Sequence, residues 1–186
     1  MKAKPTGHPG EILLALDRRD ESLLAEASRT GPESPFQLKK ILVPIDFSNC
    51  SKKALQYAIP LAQQHQAALT LLYVVPNNYA IGEYGGFDYA SLEEEMRASG
   101  ERQLAELSVD AVQGRVEADA AIRIGSAGVE IVEAAKAEPA DLIVISTHGH
   151  TGLKHVLLGS VAEYVVRRAP CPVLVVREHE REFVAG

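Results

Sequence analysis

Ser146-Thr147-His148-Gly149, nine further residues and then Gly159-Ser160 form the stretch of this 186-residue chain whose residue types could hold an anion. Small residues and glycines at fixed offsets let a backbone approach a phosphate without a Cβ in the way. A helix starting at Ser160 would add free N–H groups and the positive end of its dipole. Together these suit a chain of phosphates, and so a nucleotide. A second account of the same residues needs no ligand. Ser160-Val161-Ala162-Glu163 reads as a capping box that satisfies those N–H groups internally. Glu163 would also fill the electrostatic place a phosphate needs. Spacing alone leaves both accounts open.

Other residues carry weaker signals. Asp46 closes an apolar run after Pro44. A carboxylate there could bond a ribose hydroxyl or meet a metal-bound phosphate, or it could cap the turn toward Ser48 and Asn49. His148, His150 and His155 cluster without a supporting carboxylate or cysteine set, so a histidine metal site is not expected. Lys154 either screens phosphate charge or is a solvated loop lysine. Arg167-Arg168 suit the C-terminal dipole end of a helix. No P-loop, no Gly-x-Gly-x-x-Gly after the first strand and no Gly-x-Ser-x-Gly elbow occur. His148-Gly149-His150 is superficially similar to a nucleotidyl-transferase signature, but that signature follows a first strand and this one follows a fourth.

Strands and helices alternate from Lys39 onward. Apolar strand runs fall at Ile41–Asp46, Ala68–Val75, Ala120–Ile124, Asp141–Ser146 and Val173–Val176. Helical spacing falls at Ser51–His65, with Pro60 expected to kink or break it, and at Gly128–Ala137 and Ser160–Arg168. A further helix runs to about Val112, with Ser91 and Glu94 expected as a capping box and Gly100 weakening it by about 1 kcal/mol. Five strands joined through helices imply right-handed crossovers and a parallel sheet covered on both faces. The expected class is α/β, doubly wound and Rossmann-like. Ligands in such sheets bind beyond the carboxyl ends of the strands, which here means Pro44–Ser48 and Ser146–Ser160.

Residues 1–37 differ, with four prolines and three glycines around a stretch, Glu11–Ala27, that could form one helix. The expectation is an extension over 1–37, one domain over 38–178 and a tail over 179–186. The extension is either poorly ordered or a docking helix. Apolar content of 46% and charged content of 24% are those of a soluble globular chain. A net charge of −6 argues against nucleic acid as a partner. No apolar run is long enough for a membrane span, and Ile12–Leu16 is too short and broken for a signal peptide. Cys50 and Cys171 read as free thiols of a reducing cytosol.

Ile41-Leu42-Val43-Pro44-Ile45-Asp46-Phe47-Ser48 and Leu71-Leu72-Tyr73-Val74-Val75-Pro76 resemble the first two strands of the universal stress proteins. Thr147–Gly152, Gly159–Glu163 and Ala169–Val176 are similar to that family's C-terminal signature. The ATP-binding branch carries Gly, two residues, Gly, nine residues, Gly and Ser or Thr. Ser146 stands at the first glycine position, followed by Gly149, Gly159 and Ser160. The resemblance implies that Pro44, Ile45 and Asp46 contact adenine and ribose, that Val74 packs the adenine, and that Ile145 and Ser146 line the base and ribose. Gly149, Gly159, Ser160 and Val161 would hold the phosphates of ATP, which arrives with Mg2+. It further implies the sheet order 3-2-1-4-5 and a homodimer through Val173, Leu174, Val175 and Val176. The expected function is a cytoplasmic ATP-binding regulator of the stress response, with a protein partner the sequence does not name. One alternative is a dimeric module of the same fold that binds no nucleotide. Another is a slow ATPase or self-phosphorylating protein. No dedicated catalytic base is expected beside a nucleophile.

Overall fold

The computed structural model describes residues 2–5, 12–15, 37–77, 89–109, 114–149 and 158–178. The chain divides into two compact units, Met1–Gln37 and Leu38–Gly186. In the first, β1 (Lys2–Pro5) pairs antiparallel with β2 (Ile12–Ala15), Lys2 opposite Ala15 and Pro5 opposite Ile12. Ile12–Ala15 is therefore extended, where the sequence reading placed the start of a helix over Glu11–Ala27. The connection carries Gly7, Pro9 and Gly10, which favour chain reversal. A loose apolar stripe offers a helix little to nucleate on against that reversal. Residues 16–27 of the expected helix, and the tail 179–186, lie outside the described residues.

The second unit runs β3 (Lys40–Pro44), α1 (Asn49–His65), β4 (Ala68–Pro76), α2 (Tyr89–Leu107), β5 (Ala118–Gly125), α3 (Ala127–Ala137), β6 (Leu142–Ser146), α4 (Ser160–Arg168) and β7 (Val173–Val176). Its five strands form one parallel sheet in the order β5-β4-β3-β6-β7, which is 3-2-1-4-5 counted from β3. Alternate residues of each strand face opposite layers. Ile41, Val43, Leu69, Leu71 and Val144 pack with Ala54, Leu55 and Ala58 of α1 and Leu104 of α2. Leu42, Leu72, Ile143 and Ile145 pack with Ile131, Val132 and Ala135 of α3 and Ala162 and Val165 of α4. Because both faces are covered, the strands read as continuous apolar runs. Among the described residues no helix is long and apolar enough to cross a membrane.

Three helix details depart from expectation. α1 starts at Asn49 with Ser48 as its cap, whose hydroxyl accepts from Ser51 N, and it continues through Pro60. α2 starts at Tyr89, so Ser91 lies inside it rather than capping it. Glu94 engages Arg97, at 3.0 Å to Nε and 2.7 Å to Nη2, instead of closing a box. Gly100 is buried, and a Cβ there would lie 2.5 Å from the Tyr73 ring. Its helix-weakening glycine is thus the space in which Tyr73 of β4 sits.

Candidate functional site

β3 stands between β4 and β6. The helix after β3 packs on one face of the sheet and the helix after β6 on the other, so the two connections part there and leave a crevice at the carboxyl ends. Lys40 O accepts from Asp141 N at 2.9 Å, and Ile45 N donates to Leu72 O at 2.8 Å. Even-numbered residues of β3 therefore turn their backbone to β6 and odd-numbered ones to β4. Pro44 is even-numbered and has no N–H to give β6. The ladder to β6 ends with Leu42 opposite Ile143, while the ladder to β4 continues to Pro44 opposite Leu72. Pro44 thus marks where the sheet opens.

Asp46 follows at that opening. Its Oδ1 accepts from Ser48 N at 3.1 Å and from Ser48 Oγ at 2.6 Å. The turn-capping account is therefore correct, and it leaves Oδ2 directed at Gly149. A Cβ on Gly149 would overlap that oxygen, so glycine is the residue that lets the two loops meet. Phe47 adopts φ 65°, a left-handed conformation that costs a bulky residue roughly 1–3 kcal/mol. Its ring packs against Tyr73, with centroids 4.9 Å apart and planes at 49°. Burial, and then the Asp46 carboxylate, push the Tyr73 phenol above its ordinary value.

The loop after β6 is pinned at its base by one residue. Thr147 N donates to Val176 O of β7 at 2.9 Å, and Thr147 O accepts from Gly159 N at 2.8 Å. A Cβ on Gly159 would come within 2.9 Å of that same carbonyl, so the closure demands glycine. Ser146 is buried, and its Oγ donates to His148 O at 2.9 Å. The hydroxyl at the first glycine position is turned onto its own loop. Thr147 Oγ1 lies 3.0 Å from His148 Nδ1.

Gly159, not Ser160, is the N-cap of α4, and no side chain caps it. The expected capping box is absent because a box needs the serine one position earlier. Glu163 sits a turn inside the helix, donating its N–H to Gly159 O at 2.9 Å, and its carboxylate pairs with Arg167 at 2.8 Å. The N–H groups of Ser160, Val161 and Ala162 face outward with the dipole behind them and an exposed Ser160 hydroxyl beside them. Groups so disposed can receive an anion.

Pro44, Asp46, Ser146, Gly149, Gly159 and Ser160 thus gather at the carboxyl edge of β3 and β6. Ile145 and Val74 share the α3 and α4 face. Ile45 differs: its side chain is buried in the opposite layer and its N–H is taken by Leu72 of β4, so it turns away from the crevice on both counts. His150, Lys154 and His155 lie outside the described residues. Sequence reasoning missed Thr147 and Phe47. Thr147 acts through its backbone, which leaves no trace in residue type, and a phenylalanine beside a strand gives no sign of positive φ. Among the described residues no group of three His, Cys, Asp or Glu side chains could hold a metal. Cys50, in the first turn of α1, is held above its ordinary thiol value by burial and by the Glu178 carboxylate, so its thiolate is scarce at neutral pH. The Ser48–Asp46 contact has the form of a nucleophile beside a base, although Ser48 is also the α1 cap.

The universal stress protein family profile matches residues 37–177. The universal stress protein MJ0531 of Methanocaldococcus jannaschii is 37% identical over 144 residues, 77% of this chain and 85% of that one. The solved structure of the universal stress protein UspA from Lactobacillus plantarum superposes with a TM-score of 0.66 at 31% identity, covering 76% of this chain and 99% of that one. The universal stress protein from Archaeoglobus fulgidus, solved in complex with dAMP, superposes with a TM-score of 0.54 over 76% of this chain and 99% of that one. At 20% identity this last likeness is one of fold. With its sheet order, its crevice at Pro44 and its glycine-closed loop, the chain belongs to the universal stress protein family.

Proposed function

We propose that this protein binds ATP in the crevice between the carboxyl ends of β3 and β6, and that it acts in the cytoplasm as a nucleotide-dependent homodimer regulating a stress response. One observation carries the reading: the uncapped N-terminus of α4, set by Gly159 and closed onto the Thr147 carbonyl at the base of the loop that brings Gly149 to Asp46. Ser160, Val161 and Gly159 would hold phosphates there through backbone N–H groups. Of the residues expected at the base, Val74 keeps part of its surface open, while Pro44, Ile45 and Ile145 are buried, so Val74 would carry the apolar contact. The donor set fits a polyphosphate. It does not by itself hold a metal, so Mg2+ would arrive with the triphosphate, and Asp46 is the carboxylate at that edge. The spacing of Ser146, Gly149 and Gly159 agrees with the ATP-binding branch of the family. The dimer reading rests on β7, an edge strand of four apolar residues whose Val173, Leu174 and Val175 are only half-buried.

The protein purified without added nucleotide, then denatured, is expected to release an adenine nucleotide identifiable by mass. Calorimetric titration with Mg-ATP should show heat. No released nucleotide and no heat at millimolar ATP would leave a dimeric module that binds none. The Ser48–Asp46 contact favours a second reading, slow ATP hydrolysis or self-phosphorylation. That reading requires steady ADP production that is lost in Asp46→Ala, and a flat trace in the unaltered protein removes it.

A further inference from the structure

The opposite edge of the sheet is β5. Leu69 N donates to Glu117 O at 2.9 Å, so odd-numbered residues of this strand turn their backbone to β4. Even-numbered residues, Ala118, Ala120, Ile122 and Ile124, turn theirs outward. Side chains divide by the same parity. Arg123 reaches Glu130 of α3 at 3.5 Å, which places Asp119 and Arg123 on the α3 face, while Ile122 packs in the α1 and α2 layer. Asp119 is exposed, and Ile124 keeps 40% of its surface exposed. An open groove lined by Arg97, Leu104, Ala120 and Ile124 runs between α2 and this edge, leaving room beside the strand.

We propose that β5 pairs antiparallel with β5 of a second copy about a two-fold axis at Ala121. In that register Asp119 lies opposite Arg123, Ala120 opposite Ile122 and Ala118 opposite Ile124. Each charge meets its opposite, each isoleucine meets an alanine, and the smallest chiral side chain sits on the axis. Backbone direction agrees independently. Ala120 and Ile122 face outward and exchange both N–H···O bonds, whereas Asp119 and Arg123 fall at the non-hydrogen-bonded positions, where side chains approach most closely. The contact is isologous, as a two-fold requires. Sliding the register by two residues sets Asp119 against Gly125 or Ala121 and loses the pair. Parallel pairing in register sets Asp119 against Asp119. A lone charge would protect an edge from self-association, but two opposite charges placed symmetrically about Ala121 select one geometry of it. This edge is separate from β7, so it enlarges any β7 assembly rather than replacing it.

The test is sedimentation velocity of the full chain over a concentration series, with circular dichroism as the folding control. Asp119→Arg is expected to halve the mass of the largest species, and adding Arg123→Asp to it should restore that mass. Ala120→Pro should also halve it, since proline there removes an outward N–H and leaves the rungs to β4 in place. An unaltered mass in both Asp119→Arg and Ala120→Pro overturns the proposal, as does a monomeric unaltered protein. A folded double variant that fails to regain the mass overturns the register. Should Arg123→Asp unfold the chain beside Glu130, the two other variants still decide.

Discussion

Asp46 holds a turn with one oxygen and faces the glycine loop with the other. That division predicts the outcome of Asp46→Asn. The amide keeps an acceptor for Ser48, so the melting point should hardly move. Loss of the charge should weaken Mg-ATP roughly tenfold if the carboxylate meets the ribose or the metal, the difference between charged and neutral hydrogen bonds. Tighter binding by calorimetry would show instead that Asp46 merely repels the phosphates. Gly159→Val has a different signature. Its branched side chain strikes a backbone carbonyl 2.9 Å from where the Cβ must go, so it should cost about 1–3 kcal/mol in urea unfolding and abolish ATP heat as well. Both glycines stood out by their spacing, which was read as room for phosphates, whereas in the structure Gly149 makes room for Asp46 and Gly159 for the Thr147 carbonyl. The cap of α4 was not, because Ser160 and Glu163 imitate a box while Gly159, one residue earlier, takes the cap position.

Elements were read well where two layers press on them. The inner strands β3 and β6 were visible as apolar runs because both faces are buried, β5 showed only through its core Ala120–Ile124, and α1, α3 and α4 showed through their spacing. α2 was located, but its start was misplaced, since exposed Glu and Arg residues fit a helix start and a helix interior alike. β2 was read as helix because four extended residues cannot establish a period against a loose leucine pattern. Gly100 looked like a weakness in α2 and is a fit instead. Gly100→Ala should therefore not give the usual propensity gain. It should destabilise by about 1–3 kcal/mol in chemical denaturation, because Tyr73 must move. A stabilised variant would show that the ring shifts at no cost. The opening at Pro44 was also hidden from the sequence. Whether a proline ends a strand or merely ends one of its two ladders depends on which neighbour the residue faces.

For the whole molecule, three raised groups make stability depend on pH on the alkaline side. Burial raises the Cys50 and Cys171 thiols above 9.0 and the Tyr73 phenol above 10.0. A group raised on folding contributes stability below its unfolded value and loses it as pH climbs through its folded one. The thermal midpoint should hold level through neutral pH and fall beyond about pH 9. A fall beginning near neutrality would point to other groups. Assembly supplies a second prediction. Ile143 N donates to Pro172 O, so Val173 and Val175 of β7 turn their backbone outward. Val175→Pro should then yield a smaller particle by light scattering while circular dichroism stays unchanged. An undiminished particle would remove β7 as the dimer edge.

The peptide groups of Thr147 belong to both regions at once, tying the end of β7 on one side and the base of the glycine loop on the other. If ATP and a second copy each bear on that residue, whatever coupling arises between the two equilibria runs equally in both directions. Whatever factor ATP applies to self-association, self-association must apply to ATP. On the proposed reading, nucleotide affinity would then be no fixed constant of the chain but would depend on how much of the chain is present, and the stock of the protein would set the ATP level at which it fills.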